Sequence, residues 1–255
     1  MAKHAHGAGE TLDELQSAAD RLGVFIQANL RAVAAAIALV LALAAAVSLL
    51  FTSRRKAEEA ATIALADARA DYLEAMGAPP GALEVPELAN PEAAKRIREE
   101  YSGRYAEIAD AHPGTVSGVL ARLAEAELQQ NAGQLDAALE TLRKAHAEAP
   151  SRAGLQGMIL QREAQVLEQA DRFADAAERH EQASDLEDYP LRDYALADAA
   201  RCRVIAGDLD AARALYARLD ARAPDLRLPD YQRMQRRELA STAPAAAPEK
   251  KTEPD

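Results

Sequence analysis

Tryptophan is absent, only ten residues are aromatic, and there is a single cysteine, Cys202. One cysteine excludes an internal disulfide, and no Cys/His spacing suits a zinc site. A glycine-rich phosphate loop and a G-x-S-x-G elbow are missing too, so neither nucleotide chemistry nor a serine nucleophile is written in the chain. Basic charge is in deficit, with 30 Lys/Arg against 41 Asp/Glu. The first 56 residues hold six bases and four acids, which leaves 24 bases and 37 acids, a net of −13, on the rest. That surface lacks the basic face that phosphate contacts need, and nucleic acid is not an expected partner. β-Branched residues are few, while Ala, Leu, Glu, Arg, Gln and Asp are plentiful. All of these but Asp are good helix formers. An all-α fold is expected, with no enzyme activity, no cofactor, no metal and no small-molecule substrate.

One long apolar run interrupts this polar chain. Ala32 to Phe51 is twenty residues without a charge, ten of them Leu, Ile, Val or Phe. As a helix it would cover about 30 Å, the thickness of a bilayer's hydrocarbon core. Those ten side chains favour insertion by roughly 3–6 kcal/mol. A cleavable signal peptide is the competing reading, because Ala44, Ala45 and Ala46 are small. The apolar run continues past them to Phe51, however, and four acids precede it, which points to an uncleaved anchor. Ahead of the span, Thr11 and Glu14 fit a capping box, and Leu12, Leu15, Ala19, Leu22 and Ile26 form one apolar stripe. Residues 11–31 are therefore expected as an amphipathic lead-in helix behind an unstructured stretch over 1–10.

The polar part repeats itself. Gly133-Gln134-Leu135-Asp136-Ala137-Ala138, Asp171-Arg172-Phe173-Ala174-Asp175-Ala176 and Gly207-Asp208-Leu209-Asp210-Ala211-Ala212 share one pattern. A turn residue is followed by a bulky apolar residue, then by a small one at Ala138, Ala176 and Ala212. Leu142, His180 and Tyr216 occupy the next bulky position, and prolines close the units at Pro150, Pro190 and Pro224. A small residue at the crossing lets two antiparallel helices approach, and proline stops the second helix. Upstream of each turn, Leu120-Leu123-Ala126, Leu160-Ala164-Leu167 and Leu196-Ala200-Val204 supply the apolar face of the first helix. Hairpins of this kind cannot bury their apolar faces alone, so they stack.

The pattern resembles the tetratricopeptide repeat (TPR). Its first helix departs from that model, because Glu125 and Glu163 stand where Leu is common. The resemblance implies a TPR-like α-solenoid of about three helical hairpins over 91–240, with Ala138, Ala176 and Ala212 at the helix crossings. A transmembrane helix over 32–51 precedes it. Between the two, 52–90 is expected as a polar, Ala-rich stalk helix and a Pro-rich loop, and 241–255 as a disordered tail.

At a larger scale the layout resembles the ancillary subunit of the bacterial Sec translocon, a single-span protein with a TPR-like domain. The residues that carry this are the approach to the span, Phe25 to Arg31, and the run Tyr105 through Ala138. That run includes His112-Pro113-Gly114-Thr115 and the first repeat turn. The resemblance implies a bacterial inner-membrane protein with a cytoplasmic N-terminus and periplasmic repeats. Its implied role is a chaperone-like adaptor in secretion, with the translocon, periplasmic chaperones and client proteins as partners. Arg54, Arg55 and Lys56 after the span argue for the reverse orientation under the positive-inside rule. The periplasmic placement is kept, since long domains translocate with less regard to charge. The alternatives are a structural anchor in a cell-division or envelope-assembly complex, and a regulator whose cytoplasmic repeats sense a signalling partner.

Few polar residues qualify as a site. His4 and His6 lie in the N-terminal tail, and His180 and Cys202 fall at packing positions of the repeats. On the inner helices, Glu127, Gln161, Gln165 and Arg201 are the expected protein-binding residues. They are not the Lys/Asn/Arg set with which some TPR domains grip a C-terminal carboxylate. Within the span, Ala34, Ala38, Ala42 and Ala46 recur every fourth residue as a small-residue stripe. Such a stripe can pack on a partner helix, although a segment with nine alanines produces stripes by composition alone.

Overall fold

The computed structural model describes residues 27–82 and 84–241, without the side chain of Ala153. The expected unstructured N-terminus, most of the lead-in helix, and residues 242–255 of the expected tail lie outside the described residues. Among the described residues there are nine helices and no strand. They are α1 (Leu30–Ala75), α2 (Pro91–Ala111), α3 (Val116–Asn131), α4 (Leu135–Glu148), α5 (Ala153–Gln169), α6 (Phe173–Asp185), α7 (Arg192–Ile205), α8 (Leu209–Arg222) and α9 (Asp230–Ser241). The chain divides into two compact units, Met1–Lys56 and Ala57–Asp255.

In the first unit, the apolar part of α1 is bare. It is the one helix among the described residues long and apolar enough to cross a membrane, and its most apolar window is 0% buried. Leu39, Leu41, Leu43, Leu49, Leu50 and Phe51 are all exposed. Leaving so much apolar surface in water is unfavourable by about 25 cal/mol per Å², so this stretch demands an apolar surrounding. The hydroxyls of Thr52 and Ser53 donate back to the Ser48 and Leu50 carbonyls, which satisfies these polar groups within the helix itself.

The second unit is built from helices that pack in sequence. Each of α2 to α7 packs on the helix after it, and α9 closes against α7 and α8. Three-residue turns join α3 to α4, α5 to α6, and α7 to α8. Helices that pack across so short a turn run antiparallel. In addition α3 packs on α5 and α5 on α7, so the first helices of successive pairs form one layer. The three turns share a left-handed residue: Gly133 at φ 75°, Asp171 at φ 57° and Gly207 at φ 84°. Glycine adopts that region without a Cβ clash, whereas aspartate is there under mild strain.

Ala138, Ala176 and Ala212 are fully buried. The first two share a core cluster with Leu142, Ala164 and Leu167, and the third packs with Leu196, Tyr216 and Leu219. The long connection after α6 has a packing reason. Tyr189 turns inward from it, and a Cβ added at Gly157 of α5 would lie 2.4 Å from its ring. Only glycine at 157 leaves room for that ring.

Residues 57–75 of α1 have a packing face, which an Ala-rich polar stalk does not need. Ala61, Ala68, Tyr72 and the following Met76 are buried. Tyr72 meets the rings of Tyr101 and Tyr105 on α2 at 5.2 and 6.5 Å. Further back, Glu58 and Thr62 hydrogen-bond the start of α3. The N-terminus of α3 is closed completely. Thr115 N–H donates to His112 O, Val116 and Ser117 N–H to Glu58, and Gly118 N–H to the Thr115 hydroxyl. These are the four amides that every helix leaves without an internal partner.

Ion pairs between elements share a direction. Arg104 reaches back to Asp71, Arg122 to Asp110, Arg162 to Glu127, Arg179 to Glu163 and Arg201 to Glu168. Arg203 continues the series on Glu181, Arg218 on Asp185, Arg222 on Asp193 and Arg236 on Asp220. In each the base follows the acid in the chain. Among the described residues the exceptions are Arg122 with Glu148, His146 with Glu163, and the short-range pairs of Arg203 with Asp208 and Arg172 with Asp175.

Candidate functional site

The second unit carries a cleft of about 610 Å³ between α1, the connection after it, α2, α3 and α5. Leu65, Leu120, Leu123 and Met158 give it apolar walls, with Val85 at its loop side and Tyr72 and Tyr105 at its aromatic end. The elements owe their places to the α1 face just described. Tyr72 and Met76 hold α1 on α2, and Leu128 of α3 joins the same cluster. Burial pushes the Tyr105 hydroxyl up to about 12 and raises that of Tyr72, so both are neutral donors at physiological pH.

Charged groups rim the cleft. Arg98 donates to Glu87 at 2.7 Å and also reaches the Tyr72 hydroxyl. Arg162 and Glu127 stand 3.9 Å apart. Arg69 of α1 lines the cleft too, and no carboxylate of the described residues pairs with it.

The four residues expected to bind protein are not brought together. Glu127 is on the rim of the cleft. Gln165 is exposed on α5, where it accepts a long hydrogen bond from Arg162. Gln161 accepts the hydroxyl of Tyr189, so its side chain serves the turn after α6. Arg201 is engaged internally with Glu168 at 2.7 Å and Asp198 at 3.2 Å. The stripe of Ala34, Ala38, Ala42 and Ala46 is exposed on the first unit's helix. Missed by the sequence reasoning were Arg69, Tyr72 and Arg98, whose meeting depends on the approach of α1 to α2.

Two positions picked out as unusual in the first helices of the pairs hold buried carboxylates. Glu125 is 9% exposed and Glu163 is 4% exposed. Burial raises both carboxyls above their ordinary range, against the opposing pull of Arg122 on Glu125 and of Arg179 and His146 on Glu163.

Glu168, His180 and Cys202 place ligand atoms within 4.8 Å of one another, a grouping that invites the question of a metal. The donor set does not suit one. Glu168 Oε1 is already held by His180 Nε2 at 2.9 Å and by the Arg201 guanidinium at 2.7 Å. The carboxylate needs a proton on Nε2; a metal there would drive it to Nδ1, which is buried without an acceptor. Burial also pushes the Cys202 thiol up to about 12, far from the thiolate that a metal requires. Burial would raise the Glu168 carboxyl as well, but the hydrogen bonds from His180 and Arg201 outweigh it and hold the group at about 2. The cluster is a closed hydrogen-bonded network that ties α5, α6 and α7 together. No protein-family model, curated protein or solved structure matches the chain.

Proposed function

We propose that this protein is a membrane-tethered interaction module, with α1 crossing the bilayer once and a TPR-like α-solenoid carrying the binding surface. The observation that carries the reading is the cleft. Its apolar walls are open, it is rimmed by charge, and it sits where four helices and a loop converge. A concave apolar site with a few convergent polar groups is the usual form of a binding site. Support for the tether comes from the bare apolar helix, and support for a repeat array from the equivalent turns and buried crossing alanines.

The Sec-ancillary resemblance extends this proposal to an adaptor beside the translocon, with the cleft on the periplasmic side. Arg54, Arg55 and Lys56 favour a second reading, a cytoplasmic domain that serves a regulatory partner. A topology reporter after Ala240 separates the two. The function itself is tested by a photo-cross-linking residue at Val85, in the cleft, against one at Glu187, outside it. Membranes are solubilised in mild detergent before capture. Specific protein adducts from position 85 alone are expected; equal adducts from both positions would refute the cleft as the binding surface.

A further inference from the structure

We infer that the cleft takes an extended, acidic–apolar segment of a partner protein, with a carboxylate on Arg69 and an apolar side chain between Leu65, Leu120, Leu123 and Met158. This rests on the reading of the cleft as the interaction site and names the chemistry of its ligand.

The argument begins with shape. The α1 wall runs from Leu65 to Leu73 and the α3 wall from Leu120 to Asn131. At 1.5 Å per residue these are lengths of about 12 and 16 Å, so the cleft is a trough. An extended strand advances about 3.3 Å per residue, and four or five residues fill such a trough. Asn131 at one end offers both an amide donor and a carbonyl acceptor to a peptide main chain.

Charge then selects the segment. The soluble part carries 37 acids against 24 bases, yet the cleft has three arginines and two glutamates on its rim. Glu87 neutralises Arg98, and Glu127 faces Arg162. Among the described residues that leaves Arg69 as the cleft cation without a carboxylate, beside apolar walls. An incoming carboxylate completes the set without separating either existing pair, while a lysine-rich segment meets Arg69 as a like charge. Recognition of this kind fixes which segment binds and in which register more than it adds affinity.

The test uses the full chain in mild detergent and three fluorescein-labelled octapeptides. The first alternates aspartate and leucine, the second has lysine for aspartate, and the third has serine for leucine. Fluorescence anisotropy is expected to show the first binding about tenfold more tightly than the others, with a preference that shrinks as salt is added. Arg69→Glu should weaken the aspartate–leucine peptide by about tenfold and narrow or reverse its advantage over the lysine peptide. Val85→Asp should weaken it as well. Both positions are exposed, so the variants keep the fold, and helical circular dichroism checks this. Equal binding of all three peptides, or no binding, overturns the ligand class. Binding of the acidic peptide that ignores both substitutions overturns its placement. A detergent-stable dimer that Val85→Asp dissociates assigns the cleft to a second copy instead. If cross-linking from position 85 captures a partner whose binding is indifferent to Arg69→Glu, the interaction reading stands and this inference alone falls.

Discussion

Glu58 Oε1 accepts both the backbone amide and the hydroxyl of Ser117, at 2.9 and 2.8 Å, across 59 residues of chain. The second oxygen takes the Val116 amide at 2.8 Å. One carboxylate thus caps a helix to which it does not belong, with its negative charge at the positive end of that helix. Burial raises its carboxyl, but the bonds from Ser117 and Val116 more than reverse this, and the group is held below its ordinary range.

Removing this cap is expected to cost about 1–2 kcal/mol, the range for a lost helix cap. Glu58→Ala should therefore lower the thermal midpoint by several degrees, while Asp71→Ala, which breaks only an exposed pair with Arg104, should change it little. Circular dichroism melts of the two variants check the contrast. Equal midpoints would mean that the α1 contact with α3 contributes nothing.

The Glu168 network predicts a pH dependence. Its carboxyl stands at about 2 in the fold against an ordinary 4.5. A lowered folded value means stability that is present above pH 4.5 and lost as pH falls through the folded value. The loss is on the order of 2–3 kcal/mol, confined to about pH 4.5 to 2. Acid unfolding should follow this window in the parent, and Glu168→Gln should be less stable at neutral pH but flatter below pH 4.5.

Buried acids with raised values act in the opposite sense, and their partners decide what happens on replacement. Glu163 is paired with Arg179 and His146, whose side chains are 36% and 40% exposed and can turn to water. Glu163→Leu should stabilise the fold by about 1 kcal/mol, since a buried ion pair is often no better than a packed hydrophobe. Arg122 is different: 5% exposed, it serves Asp110, Glu125 and Glu148 together. Arg122→Met should cost about 3 kcal/mol by leaving Glu125 buried and unpaired. Denaturation with urea measures both; a loss from Glu163→Leu would contradict the argument.

Asp171 is the one residue of the three repeat turns that holds a positive φ with a Cβ. Asp171→Gly should relieve strain and raise stability by about 0.5 kcal/mol, after allowance for glycine's greater freedom when unfolded. Gly133→Asp should cost a similar amount in the mirror experiment. Both are within reach of paired denaturant titrations.

Much of the fold was legible because its signals are local. The turn residues, the alanines five positions after them and the closing prolines all act within one hairpin, and helix ends such as Asn131 and Leu135 lie beside them. The cleft was less legible. Its α1 wall was written in the spacing of Ala61, Leu65, Ala68 and Tyr72, at steps of four, three and four, which is a packing stripe. Alanine-rich sequence on either side hid it, and the stretch passed for a stalk. Tyr189 illustrates the other limit. Nothing near it in sequence announces that its ring fills the space beside Gly157, because that meeting depends on two helices first being in place.

The backward reach of the arginines has a consequence for the order in which the chain is made. Synthesis exposes the N-terminal element first, so each new helix brings a guanidinium to carboxylates already waiting. A half-made or C-terminally trimmed array ends in unpaired acids, which hydrate freely and repel one another. Chains caught part-way therefore present like charge at their growing edge, and two such edges have no electrostatic reason to meet.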